Sequence, residues 1–340
     1  MGEGRYIYGI VKTNEKKSFG TCGINNGEEV YIIPYQDISC VVSKSPLQDY
    51  SSMLKETLGH FLVKHQTIIE KIMKEHTIIP MKFGTFVFND DEVVQVAKRG
   101  YPQFKELLGN MDSKIELDVT AAWSDLGTII MEIGEKDEQI REFKTEIAKR
   151  PVNESLQDRI KIGAMIKDAL DKRREKEAGH MIGSLRELAI DFQKHQVMDD
   201  SMILNCAFLL EKVKEPDFDA KLKELDKEYN HQLNFRCIGP LAPHSFATCQ
   251  LNKLSYSRID EARKLLGLEE NASLNEVKDS YRQLAQKKHP DVDPNDAQLK
   301  EEFGKITQAY KLLANYFQAE DVSFEDRKNG DFIAVEIIRP

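Results

Sequence analysis

The sequence predicts an α+β protein with two domains, each an antiparallel sheet plus helices, and an all-α helical hairpin inserted before the last strands. Three patterns predict this class: strict alternation of apolar residues over 115–123, helical apolar stripes on both sides of a short polar loop at 289–291, and an apolar, β-branched segment at 332–338. An isolated hairpin of strands is marginal in water, so we expect the last strands to return to the preceding sheet.

The first domain is predicted over residues 1–112. Its elements, in order, are expected to be strands at 6–11, 30–33 and 38–43, a helix from Ser51 or Ser52 to about Glu75, an apolar strand at 77–88, and a helix from Asp90 or Asp91 towards Leu108. Pro80 cannot donate to a sheet ladder, so the strand at 77–88 is expected to be bulged or at an edge there.

The second domain is predicted over residues 113–254 and is expected to be completed by strands within 321–340. After the strand at 115–123 we expect helices at 136–149 and 153–196, the latter broken around 179–183, a strand at 202–212, a helix at 216–229, and strands at 232–238 and 245–251. This order favours a sheet with helices packed on one face. The pair Asn329-Gly330 predicts a hairpin turn between strands at 321–325 and 332–338.

The helical hairpin is predicted over residues 255–320. Ser273 and Glu276 form a capping-box pattern at the start of its first long helix, and Pro290 is expected to end that helix. Two apolar stripes should pack together to form a small core; the predicted core residues are Tyr281, Leu284, Phe303, Ile306, Tyr310 and Leu313.

Composition excludes several classes of protein. The chain has 340 residues, 41% of them hydrophobic, and a net charge of −9, which argues against binding to nucleic acid. Apolar runs are too short to span a lipid membrane and the N-terminus lacks a secretory signal, so a cytoplasmic location is expected. The five cysteines and the histidines have no zinc-ligand spacing, and phosphate loops and nucleophile elbows are absent. We therefore expect no metal, no cofactor and no enzymatic activity.

The segment 257–316 resembles the J-domain of DnaJ-type co-chaperones. Residues 281–291 read YRQLAQKKHPD and residues 303–313 read FGKITQAYKLL. The resemblance implies docking onto a DnaK-type ATPase and stimulation of its ATP hydrolysis. The residues implied in docking are His289, Pro290 and Asp291, with Lys278, Arg282, Lys287 and Lys288 as a charged face. The alternative is a plain helical hairpin with a proline-terminated loop and a solvated basic face.

The segment 4–252 resembles the gas vesicle protein family GvpF/GvpL. The matching stretches are 79–85 (IPMKFGT), 205–210 (NCAFLL) and 236–246 (RCIGPLAPHSF). The family-motif residues carried over are Pro80, Phe83, Gly84, Gly239, Pro240 and Phe246. The resemblance implies an accessory protein of gas vesicle assembly that contacts the hydrophobic shell subunit, of the GvpA type, and other accessory proteins.

Together the two resemblances imply a cytoplasmic, gas-vesicle-associated assembly factor that binds the shell subunit and recruits a DnaK-type chaperone. Two alternatives remain at this stage. The chain could be a general J-domain co-chaperone for other clients, or a purely structural minor component of the vesicle.

Overall fold

The computed structural model describes residues 3–25, 27–50, 52–149, 156–230, 232–289, 297–318 and 331–338. The chain forms two compact units. The first unit combines Met1–Asp112 with Ala247–Pro340, and the second is Ser113–Phe246. The chain therefore leaves the first unit, builds the second and returns.

The first unit is built on an antiparallel sheet in the order β2-β3-β4-β1-β5, with β6 paired to β1. Its strands are β1 Glu3–Val11, β2 Ser18–Gly20, β3 Val30–Tyr35, β4 Ile38–Pro46, β5 Ile78–Pro80 and β6 Phe86–Val87. The predicted strand at 77–88 is thus two short strands, and Pro80 lies at the end of β5 opposite Gly9. The Met81 N–H, one residue further on, still donates to the Tyr8 carbonyl at 2.9 Å, and β5 lies at the end of the sheet order, where a strand that contains proline is tolerated.

Two long helices belong to this unit, α1 Lys55–Met73 and α2 Asp90–Asn110. The helix α1 was expected to be capped by Ser51 or Ser52, but its N-cap residue is Leu54, which provides no side-chain cap. A turn closed by the Met53 N–H and the Tyr50 carbonyl precedes the helix. The helix α2 is capped by Asn89, whose side chain accepts from the Glu92 N–H at 2.9 Å, rather than by Asp90 or Asp91.

The second unit has a four-stranded antiparallel sheet in the order β10-β7-β9-β8. Its elements are β7 Lys114–Trp123, α3 Leu126–Lys136, α4 Glu138–Ile147, α5 Leu156–Arg186, β8 Asp191–Lys194, β9 Met202–Glu211, α6 Glu215–Glu228 and β10 Leu233–Leu241. The predicted alternation on β7 is confirmed, since all five apolar residues from Ile115 to Trp123 are buried in the core beneath the helices.

The helix predicted at 153–196 differs from the observed structure in two ways. Helix α5 continues without a break through 179–183 and ends at Arg186, because the two glycines there are tolerated inside a helix that packs on the sheet. The stretch that follows contains β8, which pairs with β9. That strand is only four residues long, and it depends on a partner that lies elsewhere in the sequence.

The C-terminal strands enclose the helical segment. Strand β11 (Thr248–Ser255) pairs with β12 (Asp331–Ile338) over its whole length, from Thr248 opposite Ile338 to Ser255 opposite Asp331. Between them lie α7 Tyr256–Leu265, α8 Leu274–Lys288 and α9 Ala297–Gln318. The helical unit is therefore an insertion between two paired strands, as predicted.

The two strands were expected to complete the second domain, but the structure groups them with the first unit. Met81 forms a parallel bridge with Cys249, and the Lys82 N–H donates to the Cys249 carbonyl at 2.7 Å. The backbone that follows β5 thus provides the partner for β11. The predicted strand at 321–325 and the turn at Asn329-Gly330 lie outside the described residues.

Candidate functional site

The candidate site lies on the hairpin formed by α8 and α9. Three contacts show that the helices run antiparallel: the rings of Tyr281 and Tyr310 stack with centroids 4.2 Å apart, Lys288 pairs with Glu302, and the ring of His289 meets that of Phe303. Residue numbers rise on one helix as they fall on the other. The site residues at the end of α8 therefore face the beginning of α9.

The hairpin has a core of its own. Of the predicted core residues, Ile306 and Leu313 are buried, together with Val277 and apolar residues of α7. Tyr281, Leu284 and Tyr310 are partly buried and pack against them, and Phe303 is also partly buried. The Ser280 hydroxyl donates to the Leu266 carbonyl at 2.5 Å and fixes α8 to the end of α7. The small core holds the hairpin in one geometry.

The predicted capping box starts α8. The Glu276 N–H donates to the Ser273 hydroxyl at 3.4 Å, and the Ser273 N–H donates to the Glu276 carboxylate at 2.7 Å. The Ser273 hydroxyl also donates to the Glu276 carboxylate, at 2.8 Å. The Ser273 backbone N–H, and after it this hydroxyl, lower the pKa of Glu276 below its usual range. The first turn of the helix is therefore fixed by the sequence pattern itself.

His289 lies immediately after α8, in an extended conformation, and is exposed. Its ring meets the ring of Phe303 edge to face, with centroids 5.2 Å apart. Pro290 and Asp291, the other two members of the predicted triplet, lie outside the described residues. The structure therefore places the imidazole at the tip of the hairpin.

The four predicted docking cations do not share one face of α8. With about 100° between successive residues of an α-helix, Lys278 and Arg282 lie roughly 40° apart around the axis, whereas Lys287 lies about 180° from Lys278. All three are exposed, and Arg282 also contacts Asp279 at 3.4 Å. Lys278 and Arg282 thus share one side of the helix, and Lys287 lies on the opposite side.

Lys288 faces the second helix of the hairpin. Its ammonium lies 2.6 Å from a carboxylate oxygen of Glu302, and both side chains are about two-fifths exposed. The prediction grouped Lys288 with the solvated cations, although Lys288 follows Tyr281 by seven residues and Leu284 by four, which are the spacings of the apolar face of α8.

The family-motif residues of the first unit lie around a buried aromatic cluster. The Tyr6 hydroxyl accepts from the Gly84 N–H at 3.1 Å and lies 2.9 Å from Nδ1 of the buried His65. The ring of Phe83 packs against Tyr6, His65 and Tyr50. Gly84 has a φ of 81°, which favours glycine. These residues hold the turn after β5 on α1. The sequence did not identify His65, a buried residue of α1, as part of this cluster.

The motif of the second unit has a steric role. The peptide between Gly239 and Pro240 is cis. A Cβ atom at Gly239 would lie 2.5 Å from the Leu117 side chain and 2.9 Å from the Glu116 carbonyl oxygen, so only glycine lets β10 approach β7 here. Phe246, further along, is buried.

A buried acidic pair holds the segment that follows β10. Ser245 donates to the Glu116 carboxyl group from its backbone N–H and from its hydroxyl, each at 2.8 Å, and the His195 ring lies 3.1 Å from the same hydroxyl. Burial, and then the charge of Asp118, raise the pKa of Glu116 to about 8. Burial also raises the pKa of Asp118. Sequence reasoning missed this pair, because alternation on β7 marks Glu116 and Asp118 as outward-facing residues.

Two classes of site are not found in the described part of the chain. Within those residues, no three His, Cys, Asp or Glu side chains are grouped closely enough to hold a metal ion. No helix among them is both long enough and apolar enough to cross a membrane.

Comparison with known proteins assigns most of the chain to a protein family. Residues 4–248 match the family described as gas vesicle synthesis protein GvpL/GvpF. The chain belongs to the GvpL/GvpF family. Gas vesicle protein F of Nostoc sp. strain PCC 7120 is 23% identical over 250 residues, which cover 73% of this chain and 99% of that protein. Gas vesicle protein F of Haloferax mediterranei is 22% identical over 249 residues, 72% of this chain and 94% of that protein.

Solved structures show the same fold for this part of the GvpL/GvpF member. The crystal structure of GvpF from Anabaena sp. PCC7120 superposes with a TM-score of 0.62 at 22% identity, covering 72% of this chain and 98% of that one. The GvpF structure from Microcystis aeruginosa gives a TM-score of 0.58 with the same coverage.

The helical insertion matches a second family. Residues 263–319 match the DnaJ domain. The chaperone protein DnaJ of Wolbachia is 46% identical over 52 residues, which are 15% of this chain and 14% of that protein. This GvpL/GvpF member therefore carries a J-domain, and the two matches support a chaperone-like role connected with gas vesicles. The J-domain implies a DnaK-type chaperone as a partner.

Proposed function

We propose that this protein binds the gas vesicle shell subunit through its GvpL/GvpF body and recruits a DnaK-type chaperone through its J-domain. The chain itself catalyses no reaction in this scheme, because ATP is hydrolysed by the recruited partner. The protein works in the cytoplasm, on gas vesicles and their precursors, together with other accessory proteins of vesicle assembly.

The observation that supports DnaK recruitment most strongly is the geometry of the hairpin tip. The α8–α9 pair is fixed by its own core, and it presents the exposed His289 on the end of the helix that carries Lys278 and Arg282. Exposed cations on a rigid helix suit an acidic docking surface, because complementary charge raises the rate of association.

The physical need for such a protein follows from the chemistry of a vesicle shell. A small, very hydrophobic subunit that polymerises into a β-rich wall exposes aggregation-prone surface before it assembles. A protein that holds the subunit and also brings an ATP-driven chaperone could deliver the subunit without aggregation.

The experiment measures single-turnover ATP hydrolysis by the DnaK-type chaperone of the same cell, with and without this protein. We expect stimulation by the wild type and none by His289→Gln, while thermal unfolding of the two proteins is the same, because exposed residues contribute little to stability. His60→Gln, an exposed histidine of α1, is the matched control and should stimulate normally.

Absence of stimulation by the wild-type protein would contradict recruitment of the chaperone. Co-purification with the shell subunit tests the other half of the proposal. The His289→Gln variant should still bind the shell subunit, since that contact is assigned to the body.

A further inference from the structure

We propose that Lys288, Glu302 and Phe303 form a clamp that positions the His289 imidazole at the hairpin tip. The assignment rests on the proposed docking of the hairpin onto a DnaK-type ATPase and deepens it. It makes Lys288 a positioning residue and removes it from the docking face to which its charge alone would assign it.

Two neighbouring contacts build this clamp. Lys288 pairs with Glu302 at 2.6 Å, and the residues that directly follow these two, His289 and Phe303, form the ring contact at 5.2 Å. Both contacts join residues 14 apart in sequence. An ion pair and an aromatic pair on adjacent residues fix the separation of the helices and the rotation of their ends.

His289 depends on such contacts because the helix no longer fixes its backbone. It is the first residue after α8, and its φ of −62° and ψ of 137° are extended and not helical. Contacts from α9 therefore set the orientation of the imidazole. The Phe303 side chain is partly buried, and its ring gives the imidazole a surface to pack against.

The angular position of Lys288 around the axis of α8 favours a positioning role over direct docking. Measured from Lys278 in steps of about 100° per residue, Lys288 lies roughly 280° round, on the side of Tyr281 and Val277, which pack towards the hairpin core. A cation on that side is directed to α9. It is poorly placed to reach a partner that meets Lys278 and Arg282.

Charge reversal tests the clamp, because the two roles predict opposite signs for the Glu302 change. In the clamp, Lys288→Glu and Glu302→Lys each lower the stimulation of the DnaK-type ATPase by about two- to fivefold, the range expected for loss of an ion pair of this exposure. The double variant Lys288→Glu/Glu302→Lys restores it. If Lys288 instead contacts the DnaK-type partner directly, Glu302→Lys adds a favourable positive charge and raises the ATPase stimulation. The double variant then does not regain wild-type stimulation, because the charge at position 288 is still reversed.

Glu301→Lys is the matched control, since it adds the same charge one residue away on an exposed side chain that pairs with Lys305. It should neither lower the stimulation nor rescue Lys288→Glu. Rescue of Lys288→Glu by Glu301→Lys would overturn the clamp, because any nearby cation would then suffice. Thermal unfolding of each variant shows whether lost stimulation reflects a lost fold, and Lys288→Arg, which keeps the pair, should behave as the wild type.

A spectroscopic readout distinguishes failure of the clamp from failure of the proposed function. The NMR chemical shifts of the His289 ring protons, assigned by comparison with His289→Gln, should be displaced by the ring current of Phe303. They should move towards free-histidine values in Lys288→Glu and in Phe303→Leu, and return in the charge-swapped double variant. Unchanged shifts in Lys288→Glu would overturn the clamp even if stimulation falls. Shifts that respond as expected without any ATPase stimulation would keep the clamp and remove the chaperone.

Discussion

The GvpL/GvpF body and the J-domain hairpin both carry recognisable sequence motifs, but the motif residues do different work. In the body they are structural: Pro80 and Phe246 are buried, and Gly239 lies where any Cβ atom would collide with β7. In the hairpin, His289 and Lys278 are exposed, and the His289 ring contacts Phe303. The body motifs thus serve the fold, whereas the exposed hairpin residues are the ones that we propose to meet a partner.

This difference predicts two kinds of mutant. Changes in the body motifs should destabilise the protein whatever partner is present. Changes on the exposed hairpin should leave stability unaltered and affect only an interaction.

Gly239→Ala should have the largest effect on stability. Its Cβ atom would meet both a side chain and a backbone oxygen of β7, and backbone cannot move aside cheaply. We expect a loss of about 3 kcal/mol, the cost of overpacking in a core, and a melting temperature lower by roughly 10 °C. Gly163→Ala, in α5 where a Cβ meets nothing within 4 Å, is the control and should be neutral or slightly stabilising. Equal melting temperatures would show that the motif glycine is not sterically required.

The buried Glu116 should make stability depend on pH. Its pKa of about 8 in the folded protein exceeds the ordinary 4.5, so the folded state binds more protons between these values. The stabilising contribution is therefore complete below about pH 4.5 and is lost as pH rises through 8. We expect the wild type to lose at least 1.4 kcal/mol more than Glu116→Gln between pH 6 and pH 9, the equivalent of one pKa unit. Urea unfolding of both proteins at pH 6 and pH 9 measures this difference in the free energy of unfolding. Equal losses of stability in the wild type and in Glu116→Gln would show that Glu116 is not the cause.

Reversal of the docking cations should leave stability unchanged within about 0.5 kcal/mol. Lys278→Glu combined with Arg282→Glu should slow association with the DnaK-type chaperone, and added salt should slow association of the wild type in the same way. Lys287→Glu, on the opposite side of α8, is the control and should have a much smaller effect. Surface plasmon resonance measures the association rates of these variants. An equally large effect of Lys287→Glu would mean that the partner contacts α8 from another side.

Local patterns predicted a large part of the fold. The capping box at Ser273 and Glu276, the alternation on β7 and the insertion of the helices before the last strand all appear in the structure. The capping box and the alternation are each encoded within a few neighbouring residues. The insertion follows from the rule that a strand needs a partner strand.

The elements that were missed depend on distant partners. Strand β8 is short and forms by pairing with β9, and β11 joins the first unit because the backbone at Met81 and Lys82 provides its neighbour. The same holds for the site. Residue type identified His289 and the cations, whereas the contact of Lys288 with Glu302 required the packing of α8 on α9.

The separation of roles between body and hairpin is tested most directly by replacing residues 257–330 with a short flexible linker. Ser255 and Asp331 are paired neighbours on β11 and β12, so a short linker can join the strands while the body stays intact. Pull-down with the shell subunit and with the DnaK-type chaperone is the measurement. We predict that this variant keeps the shell subunit and loses the chaperone. Loss of the shell subunit by a variant that still unfolds cooperatively would contradict the account and move the client site into the J-domain.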